Sequence, residues 1–325
     1  MITTAERAGG PRESADVSTT FTAMGSNVTM RILNPGAHAE QAIDAARENF
    51  LNIERTCTRF DPMSDLMRAN SNGREWTQVS VDCLRVLRRA YAAYRDTDGV
   101  FDPRTLESLQ ALGYDRSWEK VRQGRGSIPT RRRRVTKWRP SFDDARPRVR
   151  IGPRPVDLGG IGKGVAVAQA MEILREHGNS ILVEAGGDLA VRGTGPNSRG
   201  WRVWVEDPFG GDWPAAVCEI SDSAVATSSI RRRQWKAGDR HVHHLIDPRT
   251  GLPAQSELMS VTVVHAEADT AEVWTKVGFL AGRERIREVF DSAAIPAVWI
   301  DEDGRVRYSK AAASHLVWKV SRVQS

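Results

Sequence analysis

The sequence predicts an α+β fold in which mixed and antiparallel sheets pack against helices. Three observations predict it. Residues 21–32 and 201–206 alternate apolar and polar side chains with the period of two expected of strands. Residues 39–56 and 79–97 instead space their apolar side chains along one face of a helix. The two kinds of segment are intermixed without the strict strand–helix–strand alternation of a doubly wound sheet.

Taken in order, residues 1–18 are polar and contain Gly and Pro, which reads as a disordered tail. The alternation over 19–33 predicts a strand. Ala42, Ala45, Phe50, Leu51 and Ile53 give the helix over 39–56 its apolar face. A short helical turn is expected over 64–70, and a longer helix over 79–97 with Ser80 as its N-cap. Residues 97–103 form a turn signal, 106–112 a helix, and Gly113-Tyr114-Asp115 closes it. Residues 116–150, basic and punctuated by Pro129, Pro140 and Pro147, read as a long surface insertion. A glycine turn over 156–164 then opens a helix over 165–174. Strands follow over 180–191, broken at Gly186-Gly187, and over 201–206 and 217–220. Residues 242–251 are a short strand ending in a Pro/Gly turn. A strand over 260–265, a helix over 270–281 capped by Thr270 and a hairpin over 297–308 complete the set.

The chain is 40% apolar and 27% charged, ordinary values for a globular protein. No apolar run approaches the ~20 residues of a membrane span. The N-terminus shows neither a basic n-region nor an apolar core, so no signal peptide or lipoprotein anchor is expected, and a cytoplasmic location is. Cys57, Cys83 and Cys218 fit neither a zinc site nor a disulfide framework, in keeping with a reducing compartment. The net charge is +6 and the pI about 9.5. Its basic residues gather at 131–134 and 231–233 without a zinc-finger, RNA-recognition or helix-turn-helix signature, so no nucleic-acid partner is expected.

The stretch that carries chemistry is Val156-Asp-Leu-Gly-Gly-Ile-Gly-Lys-Gly164. Glycines let backbone N–H groups approach a ligand closely. A helix N-terminus adds partial positive charge, and Lys163 a full one. Together they suit a phosphorylated ligand. The pattern is neither a P-loop, since Gly164 follows the lysine, nor the dinucleotide fingerprint G-x-G-x-x-G.

Seven further motifs accompany it in order: Ala23-Met24-Gly25-Ser26, Thr58-Arg59-Phe60-Asp61-Pro62, Thr97-Asp-Gly-Val-Phe-Asp102-Pro103, Leu112-Gly113-Tyr114, Glu184-Ala-Gly-Gly-Asp188, Ala226-Thr227-Ser228 and His244-Leu-Ile-Asp247-Pro-Arg-Thr-Gly251. Over residues 19–308 the chain thereby resembles the FAD:protein FMN transferases, the ApbE-like flavin transferase family. The resemblance implies a transferase domain over 19–310, a C-terminal tail over 311–325, and a flavin cleft between two intimately joined subdomains. It implies transfer of FMN from FAD to a Thr or Ser hydroxyl of an acceptor protein, with AMP released. Flavin contacts then fall on Met24, Phe60, Leu112, Gly113, Asp157, Lys163 and Leu245. Phe60 offers an aromatic surface, Lys163 a phosphate partner, and Asp157 an acceptor for hydroxyl or amine groups. His244 is the expected general base, since a threonine hydroxyl is a poor nucleophile until deprotonated and histidine suits that task near neutral pH. Asp247 orients either the substrate or its own turn.

The resemblance further implies Mg²⁺ held by a glycine-turn carbonyl, here Gly160, and by an Asp and a Thr four residues apart. Those two positions are Glu272 and Lys276, with Thr275 adjacent and Asp269 one turn earlier. Either Glu272 and Lys276 form an i,i+4 pair and the metal site is weakened, with Thr275 as substitute ligand, or the Lys276 ammonium takes over part of the metal's charge role. Family acceptors are flavin-carrying domains, commonly attached to membrane redox systems. Alternative activities are an FAD pyrophosphatase yielding FMN and AMP, and a non-catalytic FAD-binding protein.

Overall fold

A computed structural model describes residues 16–121, 124–128, 136–231 and 233–320. The chain folds as two compact units. Met1–Phe50, Lys163–Ser229 and Glu257–Ser325 form the first; Leu51–Gly162 and Ile230–Ser256 form the second. Among the described residues the helices are α1 (Ala39–Cys57), α2 (Asp65–Ser71), α3 (Val81–Asp96), α4 (Leu106–Ala111), α5 (Gly162–Leu174) and α6 (Ala268–Ser292). Antiparallel sheets with separate helices confirm the expected α+β class.

The first unit is built on an 8-stranded sheet. Its strands are β1 (Val17–Ala23), β2 (Ser26–Leu33), β3 (Ser180–Ala185), β4 (Asp188–Arg192), β5 (Ser223–Ser229), β6 (Leu258–His265), β7 (Ala297–Asp301) and β8 (Val306–Tyr308). They lie side by side in chain order, and every neighbouring pair is antiparallel. Strand alternation divides the apolar residues between two faces. Val225, Val264, Val298 and Ile300 pack against the strands Trp201–Val205, Ala216–Ile220 and Leu316–Lys319, which form a small sheet of their own. Val261 and Trp299 point the other way, to α6, where Phe290 stands 6.1 Å from the Trp299 ring.

Several details differ from the sequence reading. Residues 19–33 are not one strand. Met24 (φ 54°) and Gly25 (φ 66°) make a two-residue turn of the primed type between β1 and β2. Val17 and Ser18, assigned above to the tail, already pair with Ile32 and Arg31, while residues 1–15 lie outside the described residues. The expected C-terminal tail contains Leu316–Lys319, which pairs with Ala216–Ile220; only 321–325 lie outside the described residues. Its Leu316 and Val320 pack against the core, so apolar burial holds it. Helix α6 starts at Ala268, with Glu267 rather than Thr270 at the N-cap position, and it continues past a kink at Gly282 because Ile286 and Phe290 supply a further buried face.

The second unit contains α2, α3 and α4, a three-stranded sheet (Ser141–Asp143, Arg148–Arg150 and Thr77–Gln78) and the hairpin Gln234–Ala237/Arg240–His243. Ser64 and Ser80 cap α2 and α3, accepting from the N–H groups of Met67 and Cys83. The stretch 116–150, expected as a surface insertion, is in part core. Trp138 is buried edge-on to Tyr91 and Tyr94 and donates its indole N–H to the Ile151 carbonyl at 2.8 Å. Val149 is buried too. A Pro- and Arg-rich composition conceals these few anchors. The arginines at 131–134, and Arg232, lie outside the described residues.

Candidate functional site

The expected glycine turn runs into α5, whose first turn holds Gly162 and, as the first residues of the chain's return to the first unit, Lys163 and Gly164. Gly164 is there for lack of a side chain: a Cβ would lie 2.5 Å from the Asp269 Cα and 2.7 Å from the Ala268 carbonyl oxygen. That contact brings the beginnings of α5 and α6 together. It lets the Gly164 N–H, one of the donors a helix start leaves without an intrahelical partner, reach Glu272 Oε2 at 2.8 Å.

A charge cluster surrounds this junction. Lys163 forms an ion pair with the buried Asp188, the first residue of β4. Asp188 also accepts the Thr227 N–H from β5 at 3.3 Å. Glu272 is 1% exposed and takes the Lys276 ammonium on Oε1 at 3.2 Å. Burial pushes the Lys276 pKa down, against the opposing pull of Glu272 and Asp188. Thr275 is fully buried. Its hydroxyl donates to the Glu272 carbonyl at 2.6 Å, which leaves Ser228 Oγ as donor in the 2.6 Å bond between the two hydroxyls.

The magnesium site expected at Gly160, Glu272 and Thr275 does not fit these residues. Both Glu272 oxygens are engaged, one by a backbone N–H and one by an ammonium, and the fully buried Thr275 hydroxyl is bonded to the Glu272 carbonyl and to Ser228. Two like unit charges 4 Å apart repel by roughly 4 kcal/mol at an effective dielectric of 20, and a divalent ion beside Lys276 would double that. Among the described residues no three His, Cys, Asp or Glu side chains gather as a metal site. Gly160 sits half-buried in the glycine turn of the second unit.

In the second unit the organising residue is Arg59. Its guanidinium lies over the Phe60 ring at 4.4 Å and over the Tyr114 ring at 4.2 Å. It donates to the Tyr114 carbonyl at 2.6 Å and stands 3.7 Å from Asp157 Oδ2. Phe60 remains 42% exposed, a ring face open to a ligand. Asp157 Oδ1 accepts the Gly159 N–H, and Asn70 clamps the neighbouring Val156 through both its N–H and its C=O. These bonds fix the entry to the glycine turn. Trp235 donates its indole N–H to the Leu112 carbonyl at 2.6 Å. Gly113 has φ 91°, and a Cβ there would stand 2.5 Å from the Arg125 carbonyl oxygen.

The histidine strand ends in the same unit. His243 Nδ1 accepts the Leu245 N–H at 3.3 Å, so Nε2 carries the proton and donates to the Ala254 carbonyl at 3.1 Å. Burial lowers the His243 pKa, so the ring is held neutral. His244 is half-buried, with Nδ1 3.3 Å from the Arg233 carbonyl. Asp247 takes Arg249 on both carboxylate oxygens and accepts the Gly251 N–H on its carbonyl, as a turn former does.

The ApbE family model matches residues 24–299. The chain belongs to the ApbE family. Over 325 aligned residues it is 25% identical to the FAD:protein FMN transferase of Haemophilus influenzae, covering 94% of this chain and 92% of the relative. It is 31% identical to the protein of the same name from Treponema pallidum, over 47% of this chain and 46% of the relative. Among solved structures it is similar to the ApbE protein of Thermotoga maritima (TM-score 0.80, 26% identity, covering 92% of this chain and 99% of the other). The apo flavinyl transferase ApbE of Pseudomonas stutzeri shares the fold (TM-score 0.75, 22% identity, 94% and 98%).

Of the residues expected from ApbE motifs, Lys163, Glu272 and Thr275 come together in the first unit, where Met24 lies in the β1–β2 turn. Phe60, Asp157, Leu112 and Gly113 gather around Arg59, Tyr114 and Trp235 in the second. Leu245 is buried, with its backbone serving His243 and Ala254. Not singled out from sequence were Arg59, Asp188 and Ser228. Each stands inside an ApbE motif quoted above, and that membership was the signal available.

Proposed function

We propose that this chain is an FAD:protein FMN transferase. The observation that carries the reading is the match to the Haemophilus influenzae enzyme of that name over nearly the whole of both chains. FAD is the substrate. Phe60 and Tyr114, stiffened by Arg59, offer the aromatic surface for a flavin or adenine ring. Asp157 accepts from its hydroxyl or amine groups. Lys163, oriented by Asp188 at the start of α5, holds pyrophosphate charge.

In the reaction, the hydroxyl oxygen of an acceptor threonine or serine forms a bond to the FMN phosphorus. The bridging P–O bond breaks, and AMP leaves with the electron pair. His244 takes the hydroxyl proton as general base and returns it to the departing phosphate. The Nδ1 contact with the Arg233 carbonyl orients the ring for this role. The acceptor is a flavin-carrying protein domain, of the kind attached to membrane redox systems, modified in the cytoplasm. No helix among the described residues is long and apolar enough to cross a membrane.

The test is the intact mass of a candidate acceptor domain after incubation with the protein and FAD. Addition of one FMN, with AMP in equal amount, is expected. AMP without addition to any acceptor overturns the transferase in favour of a pyrophosphatase; bound FAD that stays intact turns it into a flavin carrier.

A further inference from the structure

The junction of α5 and α6 carries a charge arrangement that the transferase reading does not by itself require. Two buried carboxylates, Asp188 and Glu272, face two ammonium groups, Lys163 and Lys276. Each of these two carboxylates has one ammonium, so the two pairs balance without any ion, and the buried Asp269 beside them accepts the Thr270 N–H. The fixed N–H of Gly164 takes the second oxygen of Glu272, and the close approach at Gly164 keeps it there. A cation arriving at Glu272 would have to displace a backbone donor and an ammonium already held in the protein.

We infer that Lys276 is a resident counter-cation standing where a divalent ion would otherwise sit, so that this chain binds FAD and acts on it without a metal at Glu272. The inference rests on the transferase reading of the same site. Its chemistry follows from the ammonium itself. It has three N–H donors, Glu272 takes one, and the side chain keeps 17% of its exposure. Lys276 can give a further N–H to a pyrophosphate oxygen while Glu272 holds it in place. Unlike a metal ion, an ammonium on a helix does not leave with product or yield to a chelator.

The test uses the full chain and two readouts. FAD affinity is measured by quenching of flavin fluorescence in Mg²⁺ and in EDTA. Mn²⁺ binding to the FAD complex is measured by the loss of the free-ion electron paramagnetic resonance signal, against FAD alone. We expect FAD affinity to agree within about twofold in the two buffers and no Mn²⁺ site beyond that of free FAD. The Lys276→Met variant should lose about tenfold or more in FAD affinity, the scale of a lost charge-assisted hydrogen bond. Wild-type affinity that collapses in EDTA, or one tight Mn²⁺ per chain, overturns the inference, and these readouts decide it even where the variant does not fold. FAD affinity unchanged in a folded Lys276→Met also overturns it. Failure of FAD to bind in either buffer instead overturns the transferase reading beneath it.

Discussion

Substituting Gly164 by alanine tests whether one missing Cβ sets the geometry of the charged junction. The added carbon would sit 2.5 Å from the Asp269 Cα, 2.7 Å from the Ala268 carbonyl oxygen and 2.8 Å from the Asp269 nitrogen. All three are backbone atoms of the first turn of α6, so no side chain can swing aside. Restoring an ordinary contact of ~3.5 Å moves α5 and α6 apart by roughly 1 Å. Overpacking of this kind costs about 1–3 kcal/mol. The same shift stretches the 2.8 Å bond from the Gly164 N–H to Glu272, and a buried hydrogen bond to a charged group is worth about 1.5–3 kcal/mol. The sum is about 2.5–6 kcal/mol. At about 2–4 °C per kcal/mol this lowers Tm by roughly 5–24 °C. Differential scanning calorimetry measures it, with Gly36→Ala as control, since a Cβ there meets nothing closer than 3.4 Å. A Gly164→Ala Tm within about 1 °C of the wild type would refute the reasoning, because overpacking of the stated size moves it several-fold more.

Three further outcomes are expected. His244→Ala should slow FMN transfer by about 10²–10⁴-fold while FAD affinity holds, measured by acceptor mass against time; unchanged transfer would remove His244 from the chemistry. Arg59→Leu should weaken FAD binding by about tenfold or more in fluorescence titrations, by releasing Phe60 and Asp157 together; intact affinity would show that those two need no support. His243, whose folded pKa lies below its ordinary value of 6.5, should destabilise the fold as pH falls through the unfolded pKa towards the folded one. The slope is at most about 1.4 kcal/mol per pH unit, and denaturant melts of His243→Gln, in which it should vanish, provide the check.

The parts of the molecule legible in sequence are those whose cause is local. Helix α1 follows from apolar spacing, the N-cap of α3 from a single serine, Ser80, and the position of Lys163 from a turn that opens a helix. Strand β5 was not legible. Ser223–Ser229 consists of small and β-branched residues sandwiched between β4 and β6, so it lacks the alternation of a half-exposed strand. The Met24–Gly25 turn hid because alternation runs straight through it. At the site, the Glu272–Lys276 pair could be read from its spacing of four. The bond from Gly164 to Glu272 joins residues 108 apart and decides that Glu272 is held rather than offered. The role of Arg59 depends likewise on Tyr114 and Asp157 meeting it from distant segments.

The chain order of the eight strands has a consequence for synthesis. The β1–β2 hairpin leaves the ribosome well before β2's second neighbour, β3, which begins only at Ser180. Most of the second unit is translated in that interval. At about 5–20 residues per second, β2 presents an unpaired edge for roughly 10–30 s. An open edge of that kind is a template for pairing with another nascent chain. Strand β2 carries its own protection: Asn27, Thr29 and Arg31 alternate with its apolar residues, and Arg31 is tied to Asp16. The polar half of β2 thus serves the unfinished chain, before there is any site to bind flavin.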